Sequence, residues 1–418
     1  MNYLRNSLFF LLFLSISCNI SSNKTISLKT EIEKIALSSD NSYYAKIVDN
    51  NNNFVKVKNI VGGHLTPNSG SEYKLSERTT TSSSQIGVTL CQQKQKTVES
   101  DSKKNDSKVV IGYLLVNDWE FESRFDKIQW QYLTHINISF LLVKSDGTLN
   151  TAKLPYERLK RIICKAKEKG VKVLISVARN DVGEFSTAIS NENIRNALAL
   201  DIICFTRQYG FDGFDIDYEE YSTVRGEANW DNNITSLVAF VKKLHEVKDE
   251  DMLMTCAVVS NWLNYTPEWP QYFDYINVMS YDHNAFTSTP TQHASYESFV
   301  NDLNYWVDKY KTPKSKLVGG LPFYGYSWDE AVTVDEARAI RFHRILASFK
   351  GKNNLTAEDI ADKDNVNKTY YNGRITIGEK CMYVQENDFA GVMIWQLFQD
   401  AYEEDLQLMK VVGEKIRR

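Results

Sequence analysis

The chain has 418 residues, enough for one large domain or two ordinary ones, and 43% of them are hydrophobic. This composition, with 24% charged residues, supplies a sizeable core and excludes global disorder. The net charge of -4, without an extended basic stripe, excludes a general attraction to nucleic acid.

Residues 1–18 have the pattern of an export signal. In MNYLRNSLFFLLFLSISC, Arg5 is the only charged residue, and an apolar run from Leu8 to Leu14 follows it. This run is shorter than the roughly 20 apolar residues that span a bilayer. Small residues directly before Cys18 resemble a bacterial lipoprotein signal, so we expect Cys18 to be lipidated and to anchor an exported protein at the cell surface or in the periplasm. The alternative is an ordinary cleaved signal and a secreted protein.

Residues 19–108 are polar and of low complexity, with runs such as DNNNNF, TTTSSS and ESDSKKNDSK. Such runs cannot bury much apolar surface, and no core is recognisable in this segment. We interpret it as a tether that holds the following domain away from a membrane. A small partner-binding module is the alternative.

Residues 109–418 alternate between short apolar runs and helical patterns. The candidate strands are VVIGYLLV, HINISFLLV, VKVLISVA, FDGFDID, MLMTCAVVS, YINVMSY, KLVGGLPF and GVMIWQL. Between them lie amphipathic stretches such as YERLKRIICKAKEKG, with apolar residues at three- and four-residue spacing. Eight strands that alternate with helices over roughly 300 residues predict an α/β fold, a (β/α)8 TIM barrel.

An open, doubly wound sheet is the competing interpretation. A dinucleotide-binding fold of that type needs a Gly-rich phosphate turn after the first strand, and the sequence has none there. The barrel is therefore favoured, and we expect no cofactor. The long interval between the seventh and eighth strands is predicted to be loop elaboration with a helix near DEARAIRFHRILASF.

The fourth candidate strand carries a row of carboxylates, in YGFDGFDIDYEEY. Successive residues of a strand point to opposite faces. One face carries Phe214, Ile216 and Tyr218, and the other carries Asp215, Asp217 and Glu219. The apolar face suits packing against the outer helices, so the carboxylates are predicted to point into the barrel.

Mutual repulsion and loss of hydration in this row should keep at least one carboxyl protonated near neutral pH. Glu219 lies furthest along the strand, at the C-terminal mouth where barrel enzymes carry their active sites. A protonated carboxyl there could donate to a leaving oxygen. A solvated acidic loop is one alternative. A metal site that adds Asp282 and His283 is another, but no ligand cluster or CxxC pair supports it, so we expect no metal.

The segment DGFDIDYE, from Asp212 to Glu219, resembles the DGxDxDxE signature of family 18 glycoside hydrolases, the chitinases and related endo-N-acetylglucosaminidases. NVMSYD, GLPFYGYSW and GVMIWQLFQD resemble the sixth-, seventh- and eighth-strand segments of this family, in the same order. The similarity covers roughly residues 109–410. The resemblance therefore implies a carbohydrate-active hydrolase on a barrel.

The resemblance implies a role for four residues in the reaction. Glu219 would be the general acid and then the general base, and the nucleophile would be the carbonyl oxygen of the sugar's own 2-acetamido group. Asp217 would orient that group and stabilise its developing charge, while Asp215 shares a proton with Asp217. Tyr281 would donate a hydrogen bond to the acetamido oxygen.

The predicted sugar-binding residues form a second group. Trp395 would be the apolar floor beneath the reacting sugar, and Trp119 is a further candidate for stacking on a sugar. The predicted sugar-binding residues are Trp395, Met279, Asp282, Tyr113, Phe140, Trp262 and Trp328.

The sequence departs from the family pattern at two places. The third strand ends in SVAR instead of S-x-G-G, so Ala178 and Arg179 put side chains where the family's backbone comes close to the sugar. Gln396 follows Trp395 where Glu is common. We expect activity to survive the second departure, because that position takes no part in proton transfer.

The sequence therefore predicts an exported, surface-anchored, monomeric hydrolase of β-1,4-linked N-acetylglucosamine polymers. An endoglycosidase that releases N-linked glycans is the alternative among enzymes. A sugar-binding adhesin without activity is the alternative from another class, although such relatives typically lose the terminal Glu of the signature, which is present here as Glu219.

Overall fold

The computed structural model describes residues 108–220, 230–260, 264–285, 287–335 and 337–417, together with five short strands upstream. Three of these strands, Ile35–Leu37, Tyr43–Val48 and Phe54–Lys56, pair antiparallel, and Gly63–Pro67 pairs antiparallel with Tyr73–Glu77. The predicted export signal and Cys18 lie outside the described residues.

The described strands from Val109 onward include eight parallel strands that form a closed barrel. They are β1 (Val109–Leu115), β2 (His135–Val143), β3 (Lys172–Arg179), β4 (Gly213–Asp217), β5 (Leu253–Val258), β6 (Tyr275–Val278), β7 (Leu317–Pro322) and β8 (Gly391–Trp395). Each pairs with its neighbour in sequence, and β8 pairs with β1 to close the barrel. The predicted (β/α)8 TIM barrel is confirmed.

Helices surround the barrel. The longer described helices are α1 (Tyr156–Lys169), α2 (Glu184–Ser190), α3 (Glu192–Tyr209), α4 (Trp230–Val247), α5 (Tyr296–Tyr310), α6 (Phe342–Phe349), α7 (Ala357–Ala361), α8 (Arg374–Glu386) and α9 (Leu408–Ile416). None of the described helices has the length and apolar character needed to cross a membrane.

Helix α3 illustrates how local sequence sets the helix bounds. The side chain of Asn191 accepts hydrogen bonds from the backbone N–H groups of Asn193 and Ile194 at its N-terminus. Gly210 follows its last turn with a φ of 69°, a left-handed conformation that glycine adopts without strain. The chain then turns directly into β4, which carries the acidic row.

Two apolar clusters lie on opposite faces of the barrel sheet. Phe214 and Ile216 of β4 are buried in the large cluster formed with the surrounding helices. A smaller cluster contains Ile111, Val318 and Met393, and Met279 packs against it. The carboxylates of β4 therefore lie on the side of the strand opposite to Phe214 and Ile216, as the alternation predicts.

The interval between β7 and β8 contains a small antiparallel sheet. Its strands, in spatial order, are Ala339–Arg341, Tyr324–Ser327, Thr369–Tyr370 and Asn365–Val366. The predicted helix near DEARAIRFHRILASF begins only at Phe342, because residues 339–341 pair with the strand that follows β7. We call this segment, residues 323–390, the β7–β8 insert.

Candidate active site

The acidic row occupies the C-terminal end of β4 and the residues that follow it. Asp215 and Asp217 are buried, at 0% and 3% exposure, and Glu219 is partly exposed at the mouth of the barrel. Asp212, at the start of the strand, instead accepts hydrogen bonds from the Val173 backbone N–H at 2.8 Å and from Lys172 Nζ at 3.0 Å. The structure thus separates three inward carboxyls from one that ties β3 to β4.

Asp215 is held by donors from four other strands. Its Oδ2 accepts from Tyr113 Oη and Ser176 Oγ, both at 2.7 Å. Its Oδ1 accepts from Thr255 Oγ1 at 2.6 Å and from Asn277 Nδ2 at 3.3 Å. Burial raises the pKa of Asp215 above its ordinary value, although the four hydrogen bonds act to lower it. Asp215 is therefore fixed in position deep in the barrel.

Asp217 has fewer partners than Asp215. Its carboxyl group is hydrogen-bonded to Glu219, but its Oδ1 is buried and has no partner among the described residues. Burial raises the pKa of Asp217 well above its ordinary value, and the charges of Glu219 and Asp215 raise it further. The raised pKa favours the protonated form of Asp217, and its Oδ1 is left for an external group.

Glu219 lies among groups of both charge signs. Burial raises its pKa, the Arg179 guanidinium acts to lower it, and the Asp282 carboxylate acts to raise it. A raised pKa suits a carboxyl that gives up a proton near neutral pH. Glu219 is thus both accessible and able to act as an acid.

Tyr281 and Met279 come from the segment that follows β6. The Tyr281 hydroxyl donates a weak bond to Met393 Sδ at 3.7 Å. Burial and the surrounding carboxylates raise the pKa of Tyr281 well above its ordinary value, so its hydroxyl keeps its proton. It is therefore free to donate to a stronger acceptor than sulfur.

Asp282 is hydrogen-bonded to residues of the β7–β8 insert and lies close to His293. Its Oδ1 accepts from Tyr324 Oη at 2.5 Å and from Tyr326 Oη at 3.1 Å, and lies 3.4 Å from His293 Nδ1. Burial acts to raise the pKa of Asp282, but these contacts outweigh it and hold the pKa below its ordinary value. Asp282 is accordingly a carboxylate that already has its hydrogen-bond partners. Its backbone has a φ of 64°.

Aromatic side chains form a wall beside the carboxyls. The Trp395 ring stacks on Phe140, with centroids 5.9 Å apart and planes at 26°, and its centroid lies 5.6 Å from that of Tyr113. Trp328 and Trp395 both pack against the cluster that contains Tyr324. The peptide bonds Ser139–Phe140 and Trp395–Gln396 are both cis.

Two further tryptophans, Trp262 and Trp119, are predicted to bind sugar. Trp262 lies outside the described residues. Trp119 is 68% exposed, with the Arg341 guanidinium 4.9 Å from its ring centroid. The structure thus brings together Trp395, Met279, Asp282, Tyr113, Phe140 and Trp328 of the predicted sugar-binding set.

Several residues that support the site belong to none of the motifs recognised in the sequence. Ser176, Thr255 and Asn277 were not singled out, yet all three bind Asp215. Each is an isolated polar residue inside an apolar strand, a signal that could have identified it. Gln396, which departs from the Glu of the family pattern, has a buried amide that donates to Asp118 Oδ2 at 3.0 Å.

Within the part of the chain that the structure describes, no group of three or more His, Cys, Asp or Glu side chains could hold a metal ion. The chemistry that the site can perform with its own residues is proton transfer, from a partly exposed Glu219 beside Asp217, whose raised pKa favours its protonated form. The aromatic wall offers a flat apolar face to a ring-shaped ligand.

A sequence model of the glycosyl hydrolases family 18 matches residues 109–400. The crystal structure of a chitinase from Bacteroides thetaiotaomicron is 54% identical to this chain, with a TM-score of 0.69 and coverage of 74% of this chain and 96% of that one. The GH18 chitinase ChiB from the chitin utilization locus of Flavobacterium johnsoniae is 27% identical, with a TM-score of 0.60 and coverage of 74% and 94%.

Among curated proteins, probable chitinase 10 of Drosophila melanogaster is 25% identical over 297 residues. The match covers 59% of this chain and 13% of that protein, so the chain spans well under two thirds of this relative.

Proposed function

The chain belongs to the glycosyl hydrolases family 18, and on that premise we propose that it hydrolyses β-1,4-linked N-acetylglucosamine polymers, chitin or its oligosaccharides. The similar solved structures from Bacteroides thetaiotaomicron and Flavobacterium johnsoniae are named chitinases, which supports this substrate class. The observation that carries the proposed mechanism is that, among the described residues, the carboxyls near Glu219 are engaged: Asp217 is hydrogen-bonded to Glu219 itself, and Asp282 accepts from Tyr324 and Tyr326.

Glu219 supplies the proton for the leaving group. It is partly exposed at the mouth of the barrel, and burial raises its pKa towards the range of a useful acid. When the glycosidic bond breaks, the bridging oxygen takes this proton and leaves as a hydroxyl group. Glu219 is then a carboxylate, ready to act as a base in the second step.

The nucleophile comes from the substrate itself. A two-carboxylate mechanism needs a second acid on the other face of the sugar, about 5–5.5 Å away for retention. Asp217 is hydrogen-bonded to Glu219, while Asp215 and Asp282 are occupied by other donors. Among the described residues, this leaves the carbonyl oxygen of the sugar's 2-acetamido group to attack C1.

The two steps together hydrolyse the glycosidic bond with retention of configuration at C1. The acetamido oxygen bonds to C1 as the glycosidic C–O bond breaks, and a positively charged oxazolinium ring forms. Water then attacks C1 from the side that the leaving group vacated, the Glu219 carboxylate takes its proton, and the ring reopens. Two inversions at C1 restore the original configuration.

Asp217 and Tyr281 hold the acetamido group for this attack. The unpaired Oδ1 of Asp217 is a ready acceptor for the acetamido N–H, and transfer of the Asp217 proton to Asp215 or Glu219 would leave a negative charge beside the oxazolinium. The Tyr281 hydroxyl, bonded only weakly to Met393, would donate to the acetamido oxygen. Trp395 would pack beneath the sugar ring.

A product profile tests this proposal against its alternatives. The protein is incubated with chitin oligosaccharides and, in parallel, with a high-mannose glycoprotein, and the products are separated by size. Shortened chitin oligosaccharides are the expected result. Release of the N-glycan instead would identify an endoglycosidase, and binding to chitin without cleavage would identify a sugar-binding protein.

The proposal includes a cellular location. We propose that the protein is exported and that a lipid on Cys18 anchors it to a membrane, because small residues precede this cysteine after a short apolar run. Polymeric chitin cannot enter a cell intact, which makes an exported hydrolase a sensible arrangement. We also propose that the catalytic domain acts as a monomer.

A further inference from the structure

Arg179 is the last residue of β3, where the family pattern has glycine, and its side chain reaches towards the neighbouring acidic segment. Its Nη1 donates a hydrogen bond to the backbone carbonyl oxygen of Glu219. The same Nη1 lies 3.7 Å from Glu220 Oε2, and 32% of the Arg179 side chain is exposed. The side chain that the sequence placed against the sugar is therefore engaged with the peptide that carries the catalytic acid.

Glu220 is itself held rigidly. Its side chain is fully buried, and its two carboxylate oxygens accept from the backbone N–H groups of Gly183 at 2.8 Å and Phe185 at 3.1 Å. These N–H groups belong to the start of α2, so Glu220 is attached to a helix outside the barrel. Arg179 thus connects the fixed carboxylate of Glu220 with the backbone carbonyl group of Glu219.

The charges around Glu219 explain why the positive charge of Arg179 affects the acidity of Glu219. Asp217, the last residue of β4, is hydrogen-bonded to Glu219 and is itself affected by the charge of Asp215. Tyr281 and Asp282 lie near Glu219 from the segment after β6. Of the described groups that act on Glu219 and Asp217, Arg179 supplies the positive charge, and it lowers the pKa of both carboxyls.

We propose that Arg179 is a positioning residue, whose guanidinium holds the Glu219 peptide against Glu220 and whose charge sets the upper pH limit of activity. This inference rests on the proposed function, in which Glu219 is the general acid. Family members with glycine at this position lack the device.

Two substitutions separate the hydrogen bonds of Arg179 from its charge. Arg179→Met removes both, and Arg179→Lys keeps the charge but loses the planar fork that can serve two acceptors. In Arg179→Met, the backbone carbonyl of Glu219 loses its hydrogen bond to the guanidinium. A displacement of Glu219 by about 1 Å is then enough to reduce kcat about 100-fold. We expect KM to change by less than about threefold, because the sugar contacts remain.

The pH dependence of kcat/KM tests the effect of the Arg179 charge. Without the cation, the pKa of Glu219 rises, so the acid keeps its proton to higher pH. The alkaline limb of kcat/KM should therefore move to higher pH in Arg179→Met and stay in place in Arg179→Lys, which should still show a reduced kcat. Arg195→Met is the matched control, because Arg195 is also half-buried and donates to a backbone carbonyl, that of Ile189 at 2.9 Å, away from the site.

The experiment measures kcat, KM and the pH profile of each variant on a chitin oligosaccharide, with melting temperatures to establish folding. An alkaline limb that does not move in Arg179→Met, or a kcat that does not fall, would overturn the inference. If Arg179→Met does not fold, an unchanged kcat in Arg179→Lys would overturn it as well. A wild-type protein that cleaves no chitin oligosaccharide would instead refute the proposed function itself.

Discussion

Asp215, Asp217 and Glu219 carry the same chemical group in three different environments. Asp215 accepts four hydrogen bonds, whereas one buried oxygen of Asp217, beside Glu219, has no partner in the part of the chain that the structure describes. Glu219 is partly exposed at the mouth. Burial decreases and access increases along the row, so the innermost carboxyl is fixed and the outermost is available to a substrate.

Glu219→Gln should remove nearly all hydrolysis, because an amide cannot transfer a proton to the leaving oxygen. General acid–base catalysis contributes about 10²–10⁴-fold in rate, and initial rates on a chitin oligosaccharide should fall by this amount. Glu297→Gln, at an exposed residue of α5 on the outside of the barrel, is the control and should retain the wild-type rate. Hydrolysis by Glu219→Gln at the control rate would contradict the assignment.

Asp217 should make the stability of the protein decrease as pH rises. Its pKa is raised well above 3.8 in the folded chain, so at intermediate pH the native state holds a proton that the unfolded state has released. The native state then binds more protons, and the free energy of unfolding falls with increasing pH. Below the unfolded pKa both states are protonated, and the full contribution of the group to stability is present.

Asp217→Asn removes this titration while keeping a hydrogen-bond donor towards Glu219. The melting temperature of the variant minus that of the wild type should therefore increase between about pH 4 and pH 8. Thermal melts across this range provide the measurement, and Asp308→Asn, at an exposed residue of α5, is the control. A difference that stays constant or decreases with pH would show that Asp217 is not held protonated.

At the scale of elements, the close approach of β7 to the end of β6 positions Tyr281. A Cβ atom on Gly320 would lie 2.5 Å from the Val278 carbonyl oxygen and 2.9 Å from Tyr281 Cε1. Gly320→Ala should therefore push the segment after β6 away, costing about 1–3 kcal/mol of stability and reducing activity through Tyr281.

Gly378→Ala provides the matched comparison for Gly320→Ala. Gly378 lies inside α8, and an added Cβ would be 3.5 Å from Val411 Cγ1, an ordinary contact. Alanine is more favourable than glycine within a helix by about 0.5–1 kcal/mol, so this variant should be unchanged or more stable. Thermal melts and initial rates of both variants test the argument, and equal behaviour of the two would refute it.

The alternation within β4 could be predicted from sequence because it is a local property. Five consecutive residues were enough to place Phe214 and Ile216 outside and Asp215 and Asp217 inside. The direction of the Arg179 side chain could not be predicted in this way. It depends on the carbonyl of Glu219 and the carboxylate of Glu220, which are some 40 residues away in the chain and come close only when β3 and β4 pair.

At the scale of the whole molecule, the sequence predicted the barrel because eight apolar runs alternate with amphipathic stretches. It did not predict the four-stranded sheet of the β7–β8 insert, whose strands have two to four residues each. Such short strands show no periodicity, and tertiary contacts determine them. One of these contacts, the 2.5 Å bond from Tyr324 Oη to Asp282, connects the insert to the active site.

The proposed membrane anchor gives a prediction for the intact protein. Cys18→Ser should abolish labelling by a fatty-acid analogue in cells, because the thiol is the predicted acceptor of the lipid. Cys204→Ser, within α3, is the control and should keep the label. An unlabelled wild-type protein would favour an ordinary cleaved signal, and labelling of Cys18→Ser would contradict Cys18 as the lipidated residue.

The central claim is that the substrate's acetamido oxygen is the nucleophile while Glu219 donates the proton. It is tested most directly by the hydrolysis rates of chitobiose glycosides whose reacting sugar carries N-acetyl, N-fluoroacetyl, N-difluoroacetyl or N-trifluoroacetyl groups. Fluorine withdraws electrons from the carbonyl oxygen, so kcat should fall steeply with each added fluorine. A kcat that is independent of fluorination would contradict the account, because the nucleophile would then have to come from the protein or from water.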